Sequence, residues 1–356
     1  MTLTAPAPVA APAVEGSGIK LGLTLYSLTS EWAAGRYDLP GLLDVVDAAG
    51  IGPGIEIVAS QTIRTYPEVT PGFVRDWRDA FDRHGFVPSS FGCNLDMGRR
   101  RDRDMTEDEE FEFTATQFRS AHALGFPLVR IQSAKPALIR RLLPLADELD
   151  LTMGWELHAP LGPNSPKVLE IRETYAEIDS PRLGFVADFS STMHSMSPTI
   201  LRKLGKMGLG QEELGRLQEI WATDADINAR HGEFVEYLHS RGIAPESLGS
   251  FARLAFNMHG HVDPAEWADI IPQIKHVHAK FYDIDEHGDE PAIDYPAIVR
   301  QFVRAGWSGF FSSEWEGHAF ADLDEADPVD LVRKQHDLIR RSITAALSSA
   351  PTDKDS

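Results

Sequence analysis

The chain has 356 residues, 42% hydrophobic and 25% charged, the balance of an ordinary soluble globular protein. Its 54 acidic and 34 basic residues give a formal charge of -20, a field that repels phosphate backbones and anionic lipid and argues against nucleic acid or membrane partners. The single cysteine, Cys93, excludes an intrachain disulfide, fits a reducing cytosol, and reads most simply as a small buried hydrophobe.

Residues 1–18 are rich in alanine and proline and lack both the basic start and the unbroken apolar stretch of a secretory signal. They read as a disordered tail, as do residues 346–356. No apolar run reaches the length of a membrane span, so a cytoplasmic protein is expected. Between the tails, amphipathic stretches end at glycine and short apolar strands follow. Ala48-Ala49-Gly50 precedes Ile55 to Val58, Arg83-His84-Gly85 precedes Phe86 to Phe91, and Ala123-Leu124-Gly125 precedes Leu128 to Ile131. Arg304-Ala305-Gly306 repeats the pattern before Gly309 to Ser313. Glycine suits the left-handed position just past a helix, so each instance marks a helix-to-strand joint.

Eight strands follow from this reading, near 19–27, 51–59, 87–95, 127–133, 151–158, 183–189, 275–282 and 308–314. Strands alternating with helices imply parallel βαβ units, and eight of them predict an α/β chain folded as one (β/α)8 TIM barrel over residues 19–345. A doubly wound nucleotide fold would need a glycine-rich turn after strand one; that turn reads Leu25-Tyr26-Ser27-Leu28-Thr29. Two loops depart from the regular spacing. The run Met97 to Asp104 is basic and leads into Thr106 to Glu109, spaced as a capping box, and reads as a solvated loop or a grip on substrate or partner. Residues 191–275, between strands six and seven, have helical patterns at Gln211 to Trp221 and Thr223 to Arg241. A crossover needs one helix, so this segment is read as an insertion, either a lid or docking surface or inert decoration.

Reactive groups of such barrels project from the C-terminal ends of the strands. Strand five presents Glu156, strand six Asp188, strand seven His278 and strand eight Glu314. Three carboxylates buried together without counter-charge repel one another strongly, and a divalent cation removes that conflict. The oxygen-rich set suits Mn2+, with Mg2+ or Co2+ as alternatives, and four protein ligands leave positions for substrate. Each carboxylate alone would read as a salt-bridged strand end; four ligand types on adjacent strands point to one centre. His276 shares the face of His278, which lies nearer the catalytic end and is taken as the ligand.

His158, two residues beyond Glu156, shares its strand face higher in the mouth, where a neutral imidazole is placed to take a proton or to be held by a hydrogen bond. Lys280 is a candidate oxyanion donor and Gln132 a candidate for a substrate hydroxyl. Tyr26, Glu56, Asn94, Trp315 and Glu316 complete the expected rim. His194, His259 and His261 fall in the insertion and read as surface residues.

At these strands the chain resembles the xylose isomerase-like barrel superfamily of sugar epimerases and sugar phosphate isomerases, over almost all of residues 19–345. The resemblance implies a metal that binds a carbonyl and its neighbouring hydroxyl, with Glu156 and Glu314 in proton transfer. The family's His-x-Lys-Asp ending appears here as His278-Ala279-Lys280-Phe281, without the aspartate. The stretches Ile55 to Gln61, Met97 to Asp104 and Trp155-Glu156-Leu157-His158 look like the large subunit of bacterial C-glycoside deglycosidases. That resemblance implies a flavonoid or similar C-glycoside already oxidised to a 3-keto sugar. It also implies proton abstraction by His158, cleavage of the carbon–carbon bond to the aglycone, and a small β-sandwich-like second subunit in a hetero-oligomer. A sugar isomerase or epimerase acting alone and a non-catalytic sugar-binding subunit remain open. Kinship with abasic-site endonucleases conflicts with the acidic charge and with Cys93-Asn94 at the end of strand three.

Overall fold

The structure is a computed structural model describing residues 11–95 and 99–349. Eight parallel strands close into a barrel in chain order: β1 Gly18–Thr24, β2 Gly54–Val58, β3 Val87–Gly92, β4 Leu128–Ile131, β5 Thr152–Leu157, β6 Leu183–Asp188, β7 Ile274–Phe281 and β8 Ser308–Trp315. The ring closes where β1 pairs with β8, Gly18 opposite Ser308 through Leu23 opposite Ser313. All eight predicted strands are present, and the architecture is the expected (β/α)8 barrel. Strands covered on both faces need no polar alternation, which is why β6 is buried at all six positions. The predicted joints hold: Gly50, Gly85 and Gly125 sit just past helix ends with φ of 65°, 66° and 87°, where a side chain would be strained.

Strand parity decides which side chains enter the barrel. On β7, Val277 and Ala279 join the apolar core outside the sheet, so His276, His278 and Lys280 point inward. Outside β8, Phe311 meets Phe302 of the helix Tyr295–Arg304 with ring centres 5.2 Å apart, and Phe189 at 5.6 Å, both edge-on. Each such ring contributes about 1.5–3 kcal/mol by leaving water. This outer apolar layer carries the stability and leaves the barrel interior free to hold polar groups.

The capping box opening the helix Glu107–Leu124 is formed, Thr106 Oγ1 accepting from Glu109 N at 3.3 Å and Glu109 Oε2 from Thr106 N at 2.9 Å. Arg100 and Arg103 both grip Glu109 at 2.6 Å, and Arg99 stacks over Phe113 at 4.6 Å. The basic loop is therefore largely neutralised by its own helix; Met97 and Gly98 lie outside the described residues. Between β6 and β7 come four helices, Pro198–Lys206, Gln211–Trp221, Ile227–Ser240 and Phe251–Asn257. The segment returns to its starting point: Gly260 N donates to Ser190 O at 2.8 Å and Met193 N to Gly260 O at 3.0 Å. Only glycine allows that approach, since a Cβ at 260 would lie 2.6 Å from Ser191 O.

Residues 11–17, expected within a tail, lie on the barrel: Val14 N donates to Ile19 O at 2.7 Å and Ala11 is buried. The last helix, Pro328–Ser348, runs past the expected boundary at 345 and buries Ala346. The other tail positions, 1–10 and 350–356, lie outside the described residues. Among the described residues no helix is long and apolar enough to cross a membrane.

Candidate metal centre

Glu156, Asp188, His278 and Glu314 rise from β5, β6, β7 and β8 and each brings a ligand atom within 4.8 Å of those of the others. Asp188 and His278 face each other in register across β6 and β7. Asp188 is fully buried, with Oδ1 accepting from Ser190 N at 2.8 Å. Asp188 Oδ2 and Glu314 Oε2 are buried and accept no well-directed hydrogen bond, although Lys280 Nζ stands 3.4 and 3.1 Å away. Carboxylate oxygens in that condition are costly unless something else satisfies them.

His278 is oriented from below. Its Nε2 lies 2.9 Å from Glu56 Oε1, and its Nδ1 faces Glu156 Oε1 at 2.6 Å and Glu314 Oε2 at 3.1 Å. A proton on Nε2 donated to Glu56 would leave Nδ1 free to ligate a cation, the arrangement by which a carboxylate fixes a metal-binding imidazole. Glu56 is therefore not the rim residue expected. It is 1% exposed, sits on the barrel floor, and also meets His276 Nε2 at 2.8 Å and Ser90 Oγ at 3.2 Å. Burial alone would raise the Glu56 carboxyl, but the imidazoles of His278 and His276 hold it well below the carboxylate range. Burial likewise disfavours the His278 imidazolium, while Glu314, Glu56 and Glu156 outweigh it and push it well up. Protein groups alone would keep a proton at Nδ1, where a divalent cation would take its place.

The electrostatic expectation needs one correction. The carboxylates are not without protein counter-charge, because two cations stand among them. Lys280, 1% exposed, reaches Glu316 Oε2 at 2.6 Å as well as Glu314 and Asp188. Burial would lower its ammonium, but Asp188, Glu314 and Glu316 raise it well above the usual lysine value. Arg130, which sequence reasoning missed, points inward from β4 with Nε 3.8 Å from Glu156 Oε2. An arginine inside the otherwise apolar run Leu128–Ile131 was the available signal. Among the described residues, five interior carboxylates (Glu56, Glu156, Asp188, Glu314, Glu316) face these two permanent cations and the His278 imidazolium, so a surplus of negative charge remains. A hard, oxygen-rich donor set with two unsatisfied oxygens fits a divalent ion.

His158 stands at the lip of this cluster with its side chain 28% exposed. Its Nδ1 lies 2.8 Å from Ala159 O, which fixes the proton on Nδ1 and leaves Nε2 with a lone pair. Nε2 is 3.9 Å from Asp188 Oδ2. The loop bearing it is pinned to the end of β6: Ala159 N donates to Ser190 Oγ at 3.2 Å and Ser191 Oγ to Leu157 O at 2.8 Å.

The remaining expected residues divide. Tyr26 OH donates to Glu316 Oε1 at 2.8 Å, and burial followed by Glu316 raises its phenol, so it stays protonated in the mouth. Asn94 and Gln132 lie at the ends of β3 and β4 on a small shared cleft, Asn94 Oδ1 accepting from Ser60 Oγ and Gln132 Oε1 from Leu95 N. Trp315 does not line the mouth. It is 3% exposed and its indole N–H donates to Tyr282 O at 3.0 Å, on the far side of β8. Lys280 is held by three carboxylates, which makes it a structural cation more than a free oxyanion donor. Among the insertion histidines, His194 is exposed and His261 half-buried, but His259 is fully buried, bonded to Ser197 Oγ at 2.8 Å and stacked on Tyr282 at 4.8 Å. Sequence reasoning also passed over His318, edge-on to Tyr26 at 4.6 Å. Cys93 is buried as expected, its thiol pushed up to about 12 by burial.

No protein-family model matches the chain. A C-glycoside deglycosidase alpha subunit of Arthrobacter globiformis is 59% identical over 334 residues, 94% of this chain and 95% of that protein. A 3'-dehydrocarminate deglycosidase alpha subunit of a Microbacterium species is 38% identical over 90% of this chain and 94% of its own. Among solved structures, an L-ribulose 3-epimerase superposes with a TM-score of 0.55 at 12% identity, covering 94% of this chain and 99% of that one. A D-allulose 3-epimerase from Methylomonas sp. gives 0.54 at 11% over 94% and 100%. At such identities the epimerases share the fold alone.

Proposed function

The chain belongs to the family of C-glycoside deglycosidase alpha subunits, and from that premise we propose that it cleaves the carbon–carbon bond between a 3-keto sugar and its aglycone, using a divalent ion held by Glu156, Asp188, His278 and Glu314. The observation that carries the reading is the four-residue ligand cluster with an imidazole nitrogen free beside it. A relative named for a 3'-dehydro substrate supports a sugar oxidised at that position. When bound, Mn2+, or Mg2+ or Co2+ in its place, would draw electron density from the ketone and stabilise negative charge as it develops.

The protein's own groups account for the proton. His158 Nε2 removes the hydrogen from the sugar carbon between the ketone and the aglycone-bearing carbon. Its Nδ1–H stays on Ala159 O, and Asp188 stands ready to stabilise the imidazolium. The electron pair of that C–H bond becomes a new carbon–carbon double bond as the bond to the aglycone breaks, and the departing carbon takes up the proton that the His158 imidazolium returns. Tyr26, held on Glu316, and the amides of Asn94 and Gln132 orient the sugar. A small beta subunit completes the enzyme, as the relatives' designation as alpha subunits supports. The helical segment 191–275, rooted beside Asp188, serves as its docking face or as a lid.

The test supplies the chain, alone and together with a beta subunit of its relatives, with a 3-keto C-glycoside and separately with free ketoses. Released aglycone, abolished by chelator and restored by Mn2+, is the expected result. Isomerised ketose with the glycoside intact overturns the proposal in favour of a sugar isomerase.

A further inference from the structure

Arg130 is held in a place prepared for it. Its in-register neighbours on both sides are glycines, Gly92 on β3 and Gly154 on β5, so no adjacent side chain competes for the interior at that level. A Cβ at Gly92 would stand 3.1 Å from Arg130 Nη2, and one at Gly154 would strike Val186 Cγ2 at 2.8 Å. Arg130 is 6% exposed, and its Nε and Nη1 find no hydrogen-bond partner. A residue kept for structure would satisfy those donors, since burying a guanidinium without hydrogen bonds is strongly unfavourable. What it does have is charge at close range: Nε is 3.8 Å from Glu156 Oε2, beyond hydrogen-bond distance, so that oxygen is not claimed by it.

We infer that Arg130 is a built-in counter-charge that limits how tightly the barrel holds its divalent cation. The inference rests on the reading that Glu156, Asp188, His278 and Glu314 form the cation site. Part of the negative surplus is cancelled permanently from below, so the carboxylates can be buried together before a cation arrives. The cation then meets a field weaker than the carboxylates alone would set. A unit charge several ångströms from the ion, in a medium of effective dielectric about 20, changes affinity by roughly tenfold or more. Glu56, Glu314 and Glu156 are the acidic groups that this charge faces.

The experiment measures Mn2+ binding to chelator-stripped protein by calorimetry for wild type, R130K and R130M, with E156Q as the site control. R130M is expected to bind Mn2+ at least about tenfold more tightly than wild type, and R130K to stay within about threefold. Unchanged or weaker binding by R130M overturns the inference, because a residue that merely positions Glu156 would lose affinity when removed. Should R130M prove insoluble when stripped, it is purified in Mn2+ and its release of the ion to excess chelator is timed. Slower release than wild type supports the counter-charge role, and equal or faster release refutes it. Failure of the underlying reading looks different: wild type would bind no Mn2+, or E156Q would bind it as well as wild type.

Discussion

Asp188→Asn separates a metal ligand from a structural carboxylate, because the two roles predict opposite changes in stability. Asparagine keeps the shape and can still accept from Ser190 N, so the local backbone is undisturbed. It removes one negative charge from a fully buried position. At an effective dielectric of 20, attraction between Asp188 Oδ2 and Lys280 Nζ at 3.4 Å is about 5 kcal/mol. Repulsion from Glu156 and Glu314, each within 4.8 Å, is at least about 3.5 kcal/mol apiece. The proton held on His278, also within 4.8 Å, offsets one of these repulsions, so attraction and repulsion nearly balance and desolvation of the fully buried carboxylate decides the sign. Consistently, burial above all, with Glu314 and Glu156, raises the Asp188 carboxyl despite Lys280 and His158. Chelator-stripped D188N should thus be more stable than stripped wild type by about 1–2 kcal/mol in urea unfolding. Adding Mn2+ at a hundred times the wild-type dissociation constant stabilises wild type by about 2.7 kcal/mol through mass action, and D188N should lose most of that gain. A stripped D188N protein that is less stable than wild type, yet still responds fully to Mn2+, would show that Asp188 serves Lys280 and not a cation.

His158→Gln should lower kcat on a 3-keto C-glycoside by about 10²- to 10⁴-fold while leaving Mn2+ affinity unchanged, which steady-state kinetics and calorimetry together would check; a fall in metal affinity would make His158 a ligand. Glu56→Gln removes the negative charge and one of the two acceptor oxygens that His276 and His278 share, and should weaken Mn2+ binding about 10- to 100-fold without unfolding the barrel; wild-type affinity would leave Glu56 with no part in the site. Acid should destabilise the fold through its neutral buried histidines. Burial holds His336, bonded to Gly22 O, down to about 4 and His259 down to about 3. The unfolded chain takes up these protons first, so the stability contribution is complete above pH about 6.5 and is lost as pH falls toward 4, by about 3 kcal/mol for His336 alone. Urea midpoints at pH 7 and 4.5 test this, with H336Q expected to show the shallower decline; identical slopes refute it.

How much of this was readable in advance depends on which coordinate a residue's role requires. Angular position around the barrel is legible, because strand order follows chain order and parity along each strand gives the inward face; that is why Glu156, Asp188, His278 and Glu314 could be grouped from spacing alone. Depth along the barrel axis is not legible. Glu56 is the third residue of β2 and Glu156 the fifth of β5, and both read as carboxylates near strand ends. Their levels are set by the stagger accumulated over successive pairings, including a register shift at Ile55/Glu56 between β2 and β3. That stagger sends Glu56 beneath His278 and lifts Glu156 beside it, making one carboxylate a support for the imidazole and the other a candidate ligand. Trp315 failed for a related reason: an odd step beyond Glu314 puts its ring on the opposite face of β8, so nearness in sequence to a site residue was the wrong guide. Arg130 was missed because apolar strand neighbours argue for an ordinary core. Yet an arginine at an inward position, flanked across the sheet by two glycines, has no apolar explanation. A charged residue whose register neighbours lack side chains is a signal that a single sequence carries once strand pairing is known, and it locates the interior charge balance on which this site depends.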